Sequence, residues 1–222
     1  MKIYHALFSE CGPRRKNEDY IAVREMPELG RSVFVLCDGM GGHNLGEVAG
    51  KLVAEHICDY WTKNPERLDS EKKIIDACDE TMIAYNNKSR IEMGTTMAMA
   101  AIEGNKALLA HCGDSRIYLI RNQEIIYQST DHVTLSPEGW PVISRAFFTG
   151  RNHYTPDIQE IEIKAGDMIF ICSDGVYNCG KWNEIKAALL DENSFDSLDK
   201  IKKIAERNTN DNYSAILIHL QF

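Results

Sequence analysis

No apolar run in this 222-residue chain approaches the length of a membrane span. The start, Met1-Lys2-Ile3-Tyr4-His5-Ala6, is broken by polar residues before a signal core can form. A basic surplus is missing too: 25 Lys and Arg stand against 33 Asp and Glu, a formal net charge of -8. That balance excludes the basic face a nucleic-acid binder needs and suits a site built to hold divalent cations. The seven cysteines are odd in number and contain no C-x-x-C pair, so neither a disulfide framework nor a zinc knuckle is expected. Cys37, Cys112 and Cys172 close apolar runs and read as small buried hydrophobes in a reducing compartment. No histidine forms a recognisable pattern with a thiol, which argues against a catalytic cysteine. Linkers, repeats and low-complexity tracts are absent. One domain over residues 1–222 is therefore expected, soluble, monomeric and cytoplasmic.

Apolar patterning reads as strands over Ile3–Phe8, Tyr20–Arg24 and Val33–Cys37, followed by two amphipathic helices. The first runs over 46–63, with Val48, Ala49, Leu52, Val53, Ile57, Tyr60 and Trp61 on one stripe; Ile74, Ile75, Cys78, Met82 and Tyr85 mark the second. Two successive helices without an intervening strand argue against a doubly wound sheet. Short strands follow at Met97–Ile102, Ala107–Cys112, Ile117–Ile120 and Ile125–Tyr127, then at Ile158–Ile163 and Met168–Cys172. Helices near 182–190 and 197–207 and a last strand, Ala215–Leu220, complete the chain. Strands in groups and helices in pairs suggest an α+β protein of packed antiparallel sheets covered by helix pairs.

The stretch "VFVLCDGMGGH", Val33 to His43, runs an apolar strand into Asp38 and a loop rich in glycine. A carboxylate at the end of a buried strand is costly unless something positive meets it. One reading makes Asp38 a cap for the helix near Gly46; the other places a cation there. The design recurs in "MIFICSDG", ending in Asp174-Gly175, and in "LLAHCGDS", ending in Asp114. Asp211 directly precedes the last strand region, and Glu18 and Asp19 precede another strand. Five acidic loci at strand ends exceed what capping requires. If brought together they would repel strongly unless neutralised, and oxygen ligands alone select Mg2+ or Mn2+.

In this order the residues resemble the metal-dependent serine/threonine protein phosphatases of type 2C. The matching pieces are Gly12-x-Arg14-x-x-Asn17-Glu18-Asp19, Asp38-Gly39-Met40-Gly41-Gly42-His43, Gly94-Thr95-Thr96, Gly113-Asp114-Ser115-Arg116, Thr130-Asp131-His132, Ser144-Arg145-Ala146, Ser173-Asp174-Gly175 and Asp211-Asn212. The resemblance implies a four-layer α-β-β-α sandwich, two antiparallel sheets between pairs of antiparallel helices. It implies a binuclear centre of Mn2+ or Mg2+ held by Glu18, Asp38, the Gly39 carbonyl, Asp174 and Asp211, with Asp38 bridging. Water held between the ions would attack phosphoserine or phosphothreonine directly. Arg14 would hold the phosphate as a two-pronged fork, with Arg15 its competitor for that role. Asp114 would help bind a third, weaker ion or else brace its loop through Ser115 and Arg116. Asp19, His43 and Asn212 would support the ligands from behind, and Gly94-Thr95-Thr96 and Ser144-Arg145-Ala146 would be structural. The implied partners are a phosphoprotein substrate and an opposing serine/threonine kinase.

Two departures from that pattern stand out. Met40 occupies the place where many eukaryotic relatives carry a histidine proposed as general acid, leaving water or His43 to protonate the leaving group. Between Asp131-His132 and Ser144-Arg145 stands only "VTLSPEGWPVI", a short stiff loop in place of a longer flap. The rival expectations are an inactive phosphopeptide-binding scaffold of the same fold and a hydrolase of small phosphate esters.

Overall fold

The computed structural model describes residues 2–40, 45–63, 70–89, 92–149, 155–191 and 196–221. Ten strands form two antiparallel five-stranded sheets. The first has the order β1 (Lys2–Glu10), β14 (Tyr213–Gln221), β13 (Met168–Cys172), β7 (Arg116–Arg121), β8 (Glu124–Gln128). The second runs β12 (Asp157–Glu162), β6 (Lys106–Cys112), β5 (Met97–Glu103), β3 (Arg31–Asp38), β2 (Asp19–Met26).

Strand alternation divides the core into three clusters. Phe34 and Leu36 of β3 face Ile117, Ile169, Ile171, Ile216 and Ile218 of the other sheet. Val33, Val35 and Cys37, one residue out of phase, face Ala49, Val53, Ile57 and Trp61 of α1 (Gly46–Lys63) and Cys78 and Met82 of α2 (Ser70–Ser89). Phe170, Cys172, Ala215 and Leu217 face α4 (Trp182–Leu189) and α5 (Ser197–Asn208) through Ile185, Leu189, Ile201 and Ala205. Each central strand is thus apolar on both faces because one packs on the opposing sheet and the other on helices. This succession of clusters supports the layered α-β-β-α order.

On α1 the buried stripe is Ala49, Val53, Ala54, Ile57, Cys58 and Trp61, with Val48, Leu52 and Tyr60 only partly covered. Ala54 and Cys58 join the core because the helix lies between the second sheet and α2. Truncating fully buried Trp61 to alanine should cost about 3–5 kcal/mol. The side chains of Ile74 and Ile75, expected on the α2 stripe, lie outside the described residues.

Several short elements differ from the sequence expectation. Ile163 falls just beyond β12, and β14 begins two residues earlier than Ala215, because it pairs with β1 from Glu10 onward. The segment expected as a stiff loop is a hairpin, β9 (Val133–Leu135) with β10 (Pro141–Ile143). A two-residue pair joins β4 (Gly94–Thr95) to β11 (Phe147–Phe148), and a single turn, α3 (Asp174–Tyr177), follows β13. Strands of two or three residues are too short to show a period, so only their pairing reveals them.

Candidate metal centre and active site

The expected ligands come from strand ends that tertiary pairing brings together. Asp19 opens β2 and Asp38 closes β3, and the antiparallel register sets the two residues opposite each other. The Asp38 backbone is held on both sides. Its N–H donates to Thr96 Oγ1 (3.0 Å), and its carbonyl accepts from the Thr96 amide (2.9 Å) and Thr95 Oγ1 (3.0 Å). The Gly94-Thr95-Thr96 segment therefore does more than allow close approach: its threonines clamp the candidate bridging aspartate. Thr96 Oγ1 also lies 2.7 Å from Ser115 Oγ, tying this clamp to the loop of Asp114.

Gly39 donates its N–H to the Glu18 carbonyl (3.1 Å) and packs so closely on α1 that a Cβ there would lie 2.4 Å from the Gly46 carbonyl carbon and oxygen. Only glycine fits that approach. Gly41, Gly42 and His43 of the same loop lie outside the described residues.

Asn212 ties two loops together. Its Oδ1 accepts the Glu18 amide (2.9 Å), and its Nδ2 donates to the carbonyls of Cys11 and Lys16 (2.8 Å each), fastening the Arg14 loop to the end of β14. Asp19 is 6 % exposed; its Oδ2 accepts from Ser173 Oγ (2.8 Å), beside Asp174, while Oδ1 is buried without a hydrogen-bond partner.

One cavity of about 610 Å³ gathers Arg14, Arg15, Lys16, Glu18, Asp38, Gly39, Met40, Asp114, Ile143, Asp174, Asp211 and Asn212. A groove of similar size, about 630 Å³, follows the outer side of α1 past Val48, Leu52, Tyr60 and Tyr85, but its walls are mainly apolar and it does not collect the expected ligands. The charged residues of that groove, Glu47, Lys51, Glu55, Asp59 and Lys63, are of both signs, whereas five carboxylates gather in the first cavity.

Asp38 and Asp174 line the same cavity, and ionised carboxylates crowded together repel unless a proton or a cation offsets them. Burial pushes Asp38 well above the ordinary carboxylate range, reinforced by Asp19, Asp174, Asp114 and Asp211. Asp174 is raised by burial and then by Asp211, a rise that the nearby Asn178 side chain moderates. Burial, with Asp174 adding, lifts Asp114 to about 7. Asp19 also rises to about 7, chiefly through burial, and Glu18 is raised by burial and Glu47. Each of these carboxyls is costly to ionise where it is buried unless a positive partner joins it, and an all-oxygen donor set fits hard divalent cations.

Arg14 lies at the rim, half-exposed, with Nη2 on Asp211 Oδ2 (2.6 Å) and Nε donating to the Asn210 carbonyl (3.0 Å). The Asp114 loop has a brace that the sequence did not announce. Tyr177 donates its hydroxyl to the Asp114 carbonyl (3.0 Å) beneath the Arg116 guanidinium, whose Cζ lies 3.5 Å from the ring centroid. Arg116 in turn forms a two-pronged pair with Asp131 (2.9 and 2.7 Å). Asn178, four residues beyond Asp174, was also missed; that helical spacing is the signal that could have found it. In Ser144-Arg145-Ala146 only Ala146 packs in the core; Arg145 pairs with Asp157 (2.8 Å).

The Protein phosphatase 2C family profile matches residues 7–138, more than half of the chain. The chain belongs to the protein phosphatase 2C family. Among its relatives, protein phosphatase PhpP of Streptococcus pneumoniae is 28 % identical over 204 residues, 82 % of each chain. Among solved structures of the family, the serine/threonine phosphatase Stp1 of Staphylococcus aureus superposes with a TM-score of 0.85 at 26 % identity, covering all of this chain and 96 % of its own. The catalytic domain of the serine/threonine phosphatase PstP, solved in complex with two manganese ions, gives a TM-score of 0.83 at 28 % identity over 99 % of both chains. The α+β fold of two antiparallel sheets with flanking helices is thus that of the phosphatase 2C family.

Proposed function

We propose that the chain, as a single catalytic domain over residues 1–222, removes phosphate from phosphoserine and phosphothreonine in proteins, with the carboxylate cavity holding two divalent cations, Mn2+ or Mg2+. The gathering of Glu18, Asp38, Asp114, Asp174 and Asp211 in one cavity carries this reading. Asp38, Glu18, the Gly39 carbonyl, Asp174 and Asp211 would hold the two cations, and Asp114 would hold a looser third. When bound, the pair supplies water ionised near neutral pH and charge stabilisation for in-line attack on phosphorus.

The remaining work falls to the protein. Thr95 and Thr96 hold Asp38, and Asn212 holds the Glu18 backbone, so the ligands are set before substrate arrives. Arg14 exchanges its bond to Asp211 for two phosphoryl oxygens, a match for its planar fork. Met40, a thioether, donates no proton, so the leaving serine or threonine oxygen takes its proton from water or His43.

The reading implies a serine/threonine kinase as the opposing activity and a monomeric enzyme. All seven cysteines are free thiols, which supports a reducing cytoplasm as its place of action. Among the described residues no helix is long and apolar enough to cross a membrane.

The test is phosphate release from a phosphothreonine peptide with Mn2+, with Mg2+ and with chelator, beside Asp174→Ala. Release that needs metal and is lost in the variant is expected. Release unaffected by chelator or by Asp174→Ala would overturn the assignment.

A further inference from the structure

The β9–β10 ribbon breaks the usual rule that a surface hairpin alternates apolar and polar residues. Five of its six strand positions are apolar, Thr134 being the exception. Val133 is 39 % exposed, Val142 43 % and Leu135 69 %, and Trp140 beside the turn is 71 % exposed. Apolar side chains this exposed on one short hairpin mark an interaction site.

The register says what the surface adjoins. Val133 pairs with Ile143, Thr134 with Val142 and Leu135 with Pro141. Directly opposite residues share a face, so Val133, Leu135, Pro141 and Ile143 stand together on one side, and Thr134 and Val142 on the other. Ile143 is itself part of the wall of the carboxylate cavity. The Leu135 face is therefore a continuation of that wall. The ribbon is also fixed in place. Ser144 donates its amide to the His132 carbonyl (2.8 Å), His132 donates to the Gly113 carbonyl (2.9 Å), and the turn is closed by the Ser136 amide on the Trp140 carbonyl (2.8 Å). The other end of the cavity wall is supplied by Arg14, Arg15 and Lys16 and is basic.

We propose that the Leu135 face of this ribbon seats the substrate chain beside the phosphoresidue and selects phosphoprotein segments with a large apolar side chain two or three positions away. The inference rests on the phosphatase reading above. The spacing follows from strand geometry: the Leu135–Pro141 pair lies two residues beyond Val133–Ile143, about 7 Å along the ribbon, which an extended peptide covers in two residues. A preformed seat binds without the loss of order that a mobile loop would suffer.

The experiment compares two phosphothreonine peptides, identical except for leucine or serine two positions from the phosphoresidue, with the whole protein in Mn2+. p-Nitrophenyl phosphate, which has no flanking residues, normalises the amount of active enzyme, and binding is read in parallel by fluorescence anisotropy. The leucine peptide should be favoured about tenfold in kcat/KM. Leu135→Ser should erase that preference, whereas Trp140→Ser, at the turn and out of phase with Leu135, should retain it. Equal handling of the two peptides by the unmodified protein, or a preference that survives Leu135→Ser, would overturn the proposal. Loss of the preference in Trp140→Ser alone would overturn the assigned face. If neither peptide nor p-nitrophenyl phosphate is hydrolysed but the leucine peptide still binds more tightly through Leu135, the ribbon stands and the phosphatase reading falls.

Discussion

Among the described residues, two regions bring potential metal ligands together, and they do so under opposite electrostatic conditions. At one, Glu18, Asp38, Asp114, Asp174 and Asp211 line a single cavity. At the other, His111, His132 and Asp157 offer ligating atoms within 4.8 Å of one another, the two rings stacked with centroids 4.5 Å apart. Here the one acidic group already has a cation beside it. Arg145 lies 2.8 Å from Asp157 and holds its carboxyl below the usual range. His132 accepts the Gly113 amide at Nδ1 (3.2 Å), so its ring proton sits on Nε2, facing Asp157 at 3.2 Å. Burial also keeps the His132 ring from charging. Charge is what sets the two clusters apart: Asp157 already faces Arg145, whereas Asp38, Asp114 and Asp174 crowd into one acidic cavity.

The sharpest way to break the comparison is to remove one carboxylate from each region. Asp174→Ala should take Mn2+-dependent phosphate release to background, while Asp157→Asn should leave metal-dependent turnover standing and lower thermal stability instead. Abolished turnover in Asp157→Asn would move the centre of the chemistry to the histidine cluster.

Next in size is the response to pH and cation. Folded Asp19 and Asp114 hold their protons to about 7 against an ordinary 3.8. Because the folded values are raised, their contribution to stability is full below about 4 and is lost as pH rises through about 7. In chelator the melting temperature should therefore fall between these limits, and added Mn2+ should cancel the fall. At a hundredfold excess over Kd the gain is about 2.7 kcal/mol, or about 5–10 °C. Asp157, with its lowered value, gives the opposite sign: its stabilisation is present above about 4 and is lost only in more acidic solution. A melting temperature that climbs from pH 5 to pH 8 in chelator would contradict the raised carboxylates.

Smaller is the contrast between neighbouring arginines. Arg14→Ala should raise KM for a phosphopeptide about tenfold, the value of one charge-assisted bond, with Arg15→Ala close to the unmodified enzyme. Equal effects would mean that the rim acts as a diffuse positive field. Smallest is Tyr177→Phe, which removes the hydroxyl from the Asp114 carbonyl and should cost about 1 kcal/mol in urea unfolding.

Much of this was legible along the chain. The main strands and helices came from periodicity, and α1 begins and ends where its apolar stripe predicts. Glu18, Asp38, Asp114, Asp174 and Asp211 could be singled out because each stands beside an apolar strand, a local pattern with a local cause. The hairpin at 133–143 was not legible, since two prolines and a glycine describe a stiff segment equally well whether its flanks pair or not. The braces were hidden for a different reason. Asn212 reaches Glu18 across 194 residues, and Tyr177 reaches Asp114 across 63, separations at which sequence spacing has no meaning.

By itself, then, the sequence determined which residues are strand-end carboxylates, which stretches are buried, and the family to which their order belongs. Only the tertiary structure decided that Asp38 and Asp174 share a cavity, that Asp157 pairs with Arg145 while, among the described residues, no ion pair is formed by Asp38 or Asp174, and that Leu135 shares a face with Ile143. Burial preference acts residue by residue and so is written in the chain, whereas compensation of charge depends on which distant groups meet, and that is settled when the sheets pack.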